Sequence, residues 1–198
     1  MAKVKEGRCF WCTKDEDYIR YHDTEWGVPV YDDQKLFEFL VLETAQAGLS
    51  WHTILKRRDN YRKAFCNFDV DKVSNMTEAD VNRLLQDTGI IRNRAKILAT
   101  ITNAKAFKKI QEEFGSFALF QWQFVDGYPI DNSLKTIKDY RATTYISDWF
   151  TYELKKYGFK FVGSTVIYAH MQASGMVNDH FTNCFRHNEV KKIAEDLD

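Results

Sequence analysis

The residue types best suited to chemistry lie near the two ends of the chain and around one glutamate. Cys9 and Cys12 stand three apart in CFWC, and His180 and Cys184 stand four apart in HFTNC. A C-x2-C pair is a redox couple, half of a metal site, or two unrelated thiols beside a tryptophan. A histidine and a cysteine at i, i+4 point the same way on a helix, as two ligands of one metal must. On spacing alone Cys9, Cys12, His180 and Cys184 form the natural zinc set, and His22 is then a packed or capping histidine. A redox couple expects a preceding apolar strand and a helix starting at its first cysteine. The preceding segment KVKEG does not make a core strand, which weakens that reading. Cys66 reads as a core or surface thiol.

The second chemical feature is a carboxylate among aromatic rings. DQKLFEFLVLE places Leu36, Leu40 and Glu43 on one helical stripe, so Glu43 falls in line with a buried face. Trp11, Tyr18, Tyr21 and Trp26 crowd the first segment, and Trp51 follows in AGLSW. Most aromatics serve as core. A buried glutamate is costly unless paired or hydrogen-bonded, and a flat cationic ligand stacked between such rings is one sufficient partner.

These groups need elements to position them, and the chain reads as mostly helical. Its 198 residues, 44% hydrophobic, suffice for one core or two small lobes sharing one. Pro29 and Pro129 are the only prolines, and no linker, charge block or internal repeat is visible. TEADVNRLLQDTG opens on Thr77 as N-cap with Asp80 in the capping-box position, turns Val81, Leu84 and Leu85 inward, and stops at Gly89. Helical spacing resumes through Ile97, Ile101 and Ala104. The connection TGIIRNR is a helix-hairpin-helix candidate in which Gly89 takes a left-handed conformation and Arg94 and Lys96 flank a phosphate. A plain helix connection with two surface cations fits the same residues. ISDWFTYELKKYG and STVIYAHMQASGMVNDHF supply further helices, FKFVG is the only strand-like piece, and the fold class is all-α.

Charge and targeting signals are quiet. Lys+Arg and Asp+Glu both number 28, so bulk electrostatics does not announce nucleic acid. The basic segments KRRDNYRK, RNRAK and KKYGFK read first as solvated helix faces. MAKVKEGR has no apolar stretch behind it and LFEFLVL is short and broken by Glu38, so the expectation is a cytoplasmic protein with no membrane partner and reduced thiols.

YHDTEWGVP, LETAQAGLSW, TGIIRNRAKI, GFKFVGST and NDHFTNC together resemble the bacterial 3-methyladenine DNA glycosylase I family, in order from Arg8 to about Phe185. The resemblance implies a helix-hairpin-helix DNA glycosylase fold over residues 1–198. Its central helical region spans about 34–122, its hairpin lies near 88–96, and a structural zinc joins the terminal segments. The family's ligands fall on Cys9, His22, His180 and Cys184, which replaces Cys12 of the spacing argument by His22. Its base pocket falls on Glu43 with Trp11, Tyr18, Tyr21 and Trp51, and Trp26 nearby. Leu49 becomes the apolar wedge, Gly48 permits close backbone approach, and Gly89, Arg94 and Lys96 belong to the phosphate-gripping hairpin.

The implied activity is a monofunctional enzyme of base excision repair that flips N3-methyladenine from damaged duplex DNA, hydrolyses its N-glycosidic bond and releases the base. No general base is marked, since the superfamily's usual aspartate is missing at its expected place, and no lysine is marked as a Schiff-base nucleophile. Ala45 and His52 depart from the family pattern; the first bears on pocket hydrogen bonding and the second reads as a surface change. A monomer is expected. A zinc-stabilised protein that binds methylated DNA without hydrolysis is the alternative from another class, and a thiol oxidoreductase with accessible Cys9 and Cys12 is a third.

Overall fold

The computed structural model describes residues 7–12 and 15–196. The expectations drawn from MAKVKEGR and KVKEG fall largely outside these residues. Eleven α-helices follow in order among the described residues: α1 (Glu16–Thr24), α2 (Asp33–Gln46), α3 (Trp51–Leu55), α4 (Arg58–Ala64), α5 (Val70–Ser74), α6 (Glu78–Gln86), α7 (Arg94–Phe114), α8 (Phe117–Trp122), α9 (Tyr145–Tyr157), α10 (Ser164–Ala173) and α11 (Phe185–Glu195). Two short strands, β1 (Ile130–Asp131) and β2 (Val177–Asn178), pair in parallel with Ile130 opposite Val177.

α2 is the axis of the molecule. Every residue from Leu36 to Ala45 is buried, so the helix is enclosed on all sides rather than along the single stripe its spacing suggests. It packs against α3, α7, α8 and α10. Asp32 caps its start by accepting from Lys35 N at 2.8 Å. The neighbouring Asp33 carboxylate accepts from Phe117 N and Ala118 N at 2.9 Å and so fixes the start of α8 against it.

Helices α6 and α7 form where the capping signals place them. The Asp80 carboxylate accepts from Thr77 N at 2.9 Å, and Asn93 caps α7 by accepting from Lys96 N at 3.1 Å. Val81 and Leu84 are fully buried and Leu85 partly so.

Two sequence readings change. FKFVG is not a strand: Gly158 ends α9 in the left-handed conformation, Phe159 and Val162 drop into the core, and the Asn103 amide bonds the backbone N–H and C=O of Lys160 at 2.7 and 3.0 Å. Those backbone groups have no need of a strand partner. The pairing occurs instead at residues 130–131 and 177–178. The second change is that His180 and Cys184 do not share a helix. α10 stops at Ala173, and the two residues lie in the turn before α11, closed by Cys184 N donating to Phe181 O at 2.7 Å.

The main hydrophobic cluster surrounds α2, α7, α9 and α10. A second joins the two ends of the chain, with Cys9, Tyr21 and Trp26 packed beside Phe39, Leu134, Ala173, Phe181 and Cys184.

Candidate active site and metal centre

Helix α1 faces two sites at once. Its N-cap Asp15 accepts from Tyr18 N at 3.0 Å, and Tyr18 and Tyr21, three residues apart, share one face. They line a cavity of about 220 Å³ with Trp11, Trp26, Glu43 and Trp51. All six residues assigned to a base pocket therefore meet at one concavity. Trp11 is the hinge of the cage, with ring centroids 5.3 Å from Tyr18 and 4.8 Å from Trp26, while Tyr21 lies 5.1 Å from Trp51. The indole N–H groups of Trp11 and Trp51 are buried without an acceptor among the described residues. Phe10, Gln46, Tyr140, Ala169 and Gln172 complete the lining. Sequence reasoning missed these because ordinary helical or loop segments carry them, with no distinguishing spacing.

The two buried glutamates of α2 have opposite surroundings. Burial alone would raise the Glu38 carboxyl, but Arg58 at 2.8 Å, with Lys35 and Arg62, outweighs it and holds the group below the usual carboxylate range. Glu43 is 5% exposed, no donor among the described residues reaches its carboxylate, and burial pushes it up to about 8. Glu43 is thus a buried acid whose compensating charge must come from something in the cavity.

His22, the residue after Tyr21, faces the other way. The ligand atoms of Cys9, His22, His180 and Cys184 all lie within 4.8 Å of one another, and all four side chains are buried. Each histidine is oriented from behind: His22 Nδ1 donates to Asp23 Oδ1 at 2.7 Å, and His180 Nε2 donates to Trp26 O at 3.0 Å. That leaves His22 Nε2 at 3.5 Å from Cys184 Sγ, and His180 Nδ1 at 3.5 and 3.6 Å from the two sulfurs. A tetrahedral zinc with bonds of about 2.3 Å to sulfur and 2.0 Å to nitrogen separates such atoms by roughly 3.6 Å. The donor set and its spacing fit that ion.

Cys12 is not part of this group. Its backbone N–H turns back to Cys9 O at 3.3 Å, and burial pushes its thiol up to about 11. The spacing-based zinc set is therefore corrected, with His22 in place of Cys12. Cys9 and Cys12 are both buried, which removes the accessible thiol pair an oxidoreductase needs. Cys66 is an exposed free thiol.

At the exit of α2, Gly48 has φ +78°, which a side-chain-bearing residue rarely adopts, and Leu49 follows on the surface at 41% exposed. The hairpin differs from expectation in two ways. Gly89 is not left-handed; a Cβ there would lie 2.9 Å from Asn60 Cβ and from Asp87 Oδ1, so crowding explains the glycine. The ammonium of Lys96, assigned to a phosphate, instead donates to the carbonyl oxygens of Ala45 at 2.8 Å and Ala47 at 2.6 Å. Arg94 is exposed and pairs with Glu78.

The two departures also resolve. The Ala45 side chain sits in the main core, outside the cavity lining. His52 is partly buried, lies tilted against Tyr18 with ring centroids 5.6 Å apart and bonds the Asp15 carboxylate, tying α3 to the start of α1.

A family model described as methyladenine glycosylase matches residues 11–187. A protein of Escherichia coli (strain K12) named DNA-3-methyladenine glycosylase 1 is 50% identical over 177 residues, covering 89% of this chain and 95% of that protein. A DNA-3-methyladenine glycosylase of Haemophilus influenzae is 45% identical over 177 residues, with 89% and 96% covered. A crystal structure of 3-methyladenine DNA glycosylase I superposes with a TM-score of 0.88 at 52% identity, covering 90% of this chain and 98% of that one. The Staphylococcus aureus 3-methyladenine DNA glycosylase I, solved for the basis of its 3-methyladenine recognition, gives a TM-score of 0.88 at 38% identity, covering 90% and 95%.

Proposed function

This chain belongs to the methyladenine glycosylase family, and from that premise we propose how its residues carry out the release of N3-methyladenine from duplex DNA in base excision repair. It is a DNA-3-methyladenine glycosylase, as its relatives are named. The observation that carries the reading is Glu43, a buried carboxylate with no partner among the described residues, facing a cage built on three tryptophans and two tyrosines.

Alkylation at N3 places positive charge on the purine, which weakens its stacking and makes it a good leaving group. Extruding a base costs a few kcal/mol, least for a damaged one, so selection begins before the cavity is reached. Leu49 at the turn after α2 fills the gap in the stack, and Gly48 gives that turn its left-handed residue. The rings then attract the cationic base, at about 0.5–2 kcal/mol per desolvated contact. Glu43 accepts from the exocyclic amine and gives up its proton as the cation enters, because the cation supplies the charge that burial withheld. A neutral adenine brings no such compensation.

Among the described residues Glu43 is the only acidic one of the lining, and no second carboxylate of theirs stands ready to activate water. The positive charge passes from the purine to the sugar as the bond breaks, so the cage selects the cationic base and the rate rests chiefly on the weakness of its glycosidic bond. No lysine among the described residues lines the cavity, and the reading is of a monofunctional hydrolase that leaves an abasic site uncut.

The α6–α7 connection serves as the DNA-gripping hairpin of the helix-hairpin-helix superfamily, with the backbone near Gly89 and the exposed Arg94 toward phosphate and Lys96 bracing the wedge turn from behind. Cys9, His22, His180 and Cys184 hold a structural zinc that ties the two ends of the chain beside the cavity. The metal's contribution is stability. The protein acts as a monomer in the cytoplasm.

Chromatography of the bases released from dimethyl-sulfate-treated duplex DNA tests the reading. Free 3-methyladenine with an intact abasic strand is expected; a folded, metal-loaded sample that releases no base would leave a binding protein for methylated DNA as the better account.

A further inference from the structure

Behind the cavity lies a buried carboxylate with no part in the chemistry above. Asp179, 1% exposed, accepts from Asn132 Nδ2 at 2.6 Å, Gln172 Nε2 at 2.7 Å and the Tyr168 hydroxyl at 2.8 Å. The same Gln172 nitrogen donates to the Tyr140 hydroxyl at 3.0 Å. Gln172 and Tyr140 both line the cavity. Gln172 is also held by its backbone, whose carbonyl accepts from Gly27 N at 3.1 Å.

Both Asp179 oxygens are met by donors, and the contact it makes with the Gln172 amide is to the nitrogen end. The nitrogen is held at the back, and the oxygen is left as the edge that no donor among the described residues meets. The Tyr140 hydroxyl, already accepting from Gln172, keeps its own proton free to donate. The wall therefore offers a purine one acceptor and one donor side by side. Adenine presents the complement, an amine that donates beside a ring nitrogen that accepts. Guanine presents two acceptors, O6 and N7, on the corresponding edge. Against the Gln172 oxygen, O6 is a repulsive neighbour.

We infer that Gln172 is a specificity residue that selects N3-methyladenine over N3-methylguanine by accepting from the exocyclic amine, and that Asp179 is its positioning residue. The inference rests on the reading of the cavity as the lesion-base pocket. Glu43 and Gln172 then take one amine hydrogen each, and Tyr140 donates to the neighbouring ring nitrogen.

The test measures kcat/KM for release of both bases from duplex DNA methylated with dimethyl sulfate. Gln172→Leu is expected to lower 3-methyladenine release about tenfold, the equivalent of one lost hydrogen bond to a cationic donor, and to leave 3-methylguanine release unchanged or raised. Tyr140→Phe removes a donor to a ring nitrogen that both purines carry, so it lowers release of both bases and leaves their ratio unchanged. Asp179→Asn shifts it through KM, by loosening the amide. A wild-type ratio in Gln172→Leu, or a proportional loss of both bases, overturns the inference and assigns Gln172 a structural role. If Gln172→Leu does not fold, Asp179→Asn decides by the same ratio. A wild-type protein that releases neither base overturns the lesion-pocket reading itself, a result distinct from an unchanged ratio.

Discussion

The ammonium of Lys96 lies 2.6 Å from the carbonyl oxygen of Ala47. The first turn of α7 thus caps the last turn of α2, directly before Gly48 and Leu49. A cation at a helix C-terminus contributes about 0.3–1 kcal/mol, more where partly buried. Lys96→Met is therefore expected to cost about 1 kcal/mol of stability and to lower activity by freeing the wedge turn. Each phosphate contact contributes a slope of about −0.9 to log K against log salt. The slope for duplex binding should not change in Lys96→Met, whereas a phosphate-gripping lysine would lower it.

Glu43 gives a pH signature. Its native carboxyl is raised to about 8, so between the unfolded value near 4.3 and about 8 the native state holds a proton the unfolded chain has lost. Stability from this group falls as pH rises through that window. Glu43→Gln escapes the penalty, and its advantage over the parent should grow from nothing below about pH 4.5 to a few kcal/mol at pH 8. Urea denaturation at pH 5 and pH 8 reads the difference, and parallel shifts in the two proteins would contradict it. The same variant should bind a cationic base more weakly, most clearly at alkaline pH.

Metal analysis should give one zinc per chain. Removing it with a chelator, or substituting Cys184→Ala, should lower the melting temperature sharply, since the four ligands join residues 9 and 22 to residues 180 and 184. Residual protein that stays folded should still bind free 3-methyladenine, because the ligands lie outside the cavity lining. A metal-free protein with an unchanged melting temperature would count against the structural role.

Gly89→Ala should cost about 1–3 kcal/mol, the usual range for an overpacked contact. The added carbon meets Asn60 Cβ and Cγ and Asp87 Oδ1, each at 2.9 Å. Asn60→Gly in the same chain should recover the part of the loss that Asn60 causes. A left-handed backbone at Gly89 would give no such rescue.

Most helices are legible in the local sequence, because capping residues such as Thr77 with Asp80 and the apolar spacing of Val81, Leu84, Ile97 and Ile101 act over a few residues. It also marked Glu43 as an acid in an apolar setting, and the resemblance carried by its motifs placed the six cage residues at one site. What it did not hold was partnership across the chain. Spacing favoured Cys12 over His22, yet ligands are chosen by where α1 turns its faces, and Tyr21 and His22 point to opposite sites. His180 and Cys184 meet through a turn, although their separation is also that of one helical face. Lys96 reads as a surface cation until α2 ends beside it, and Gln172 and Tyr140 read as ordinary residues until Asp179 lies behind them. Short-range rules fix which elements form, and only the packed arrangement of those elements decides which polar groups are left facing one another in a cavity.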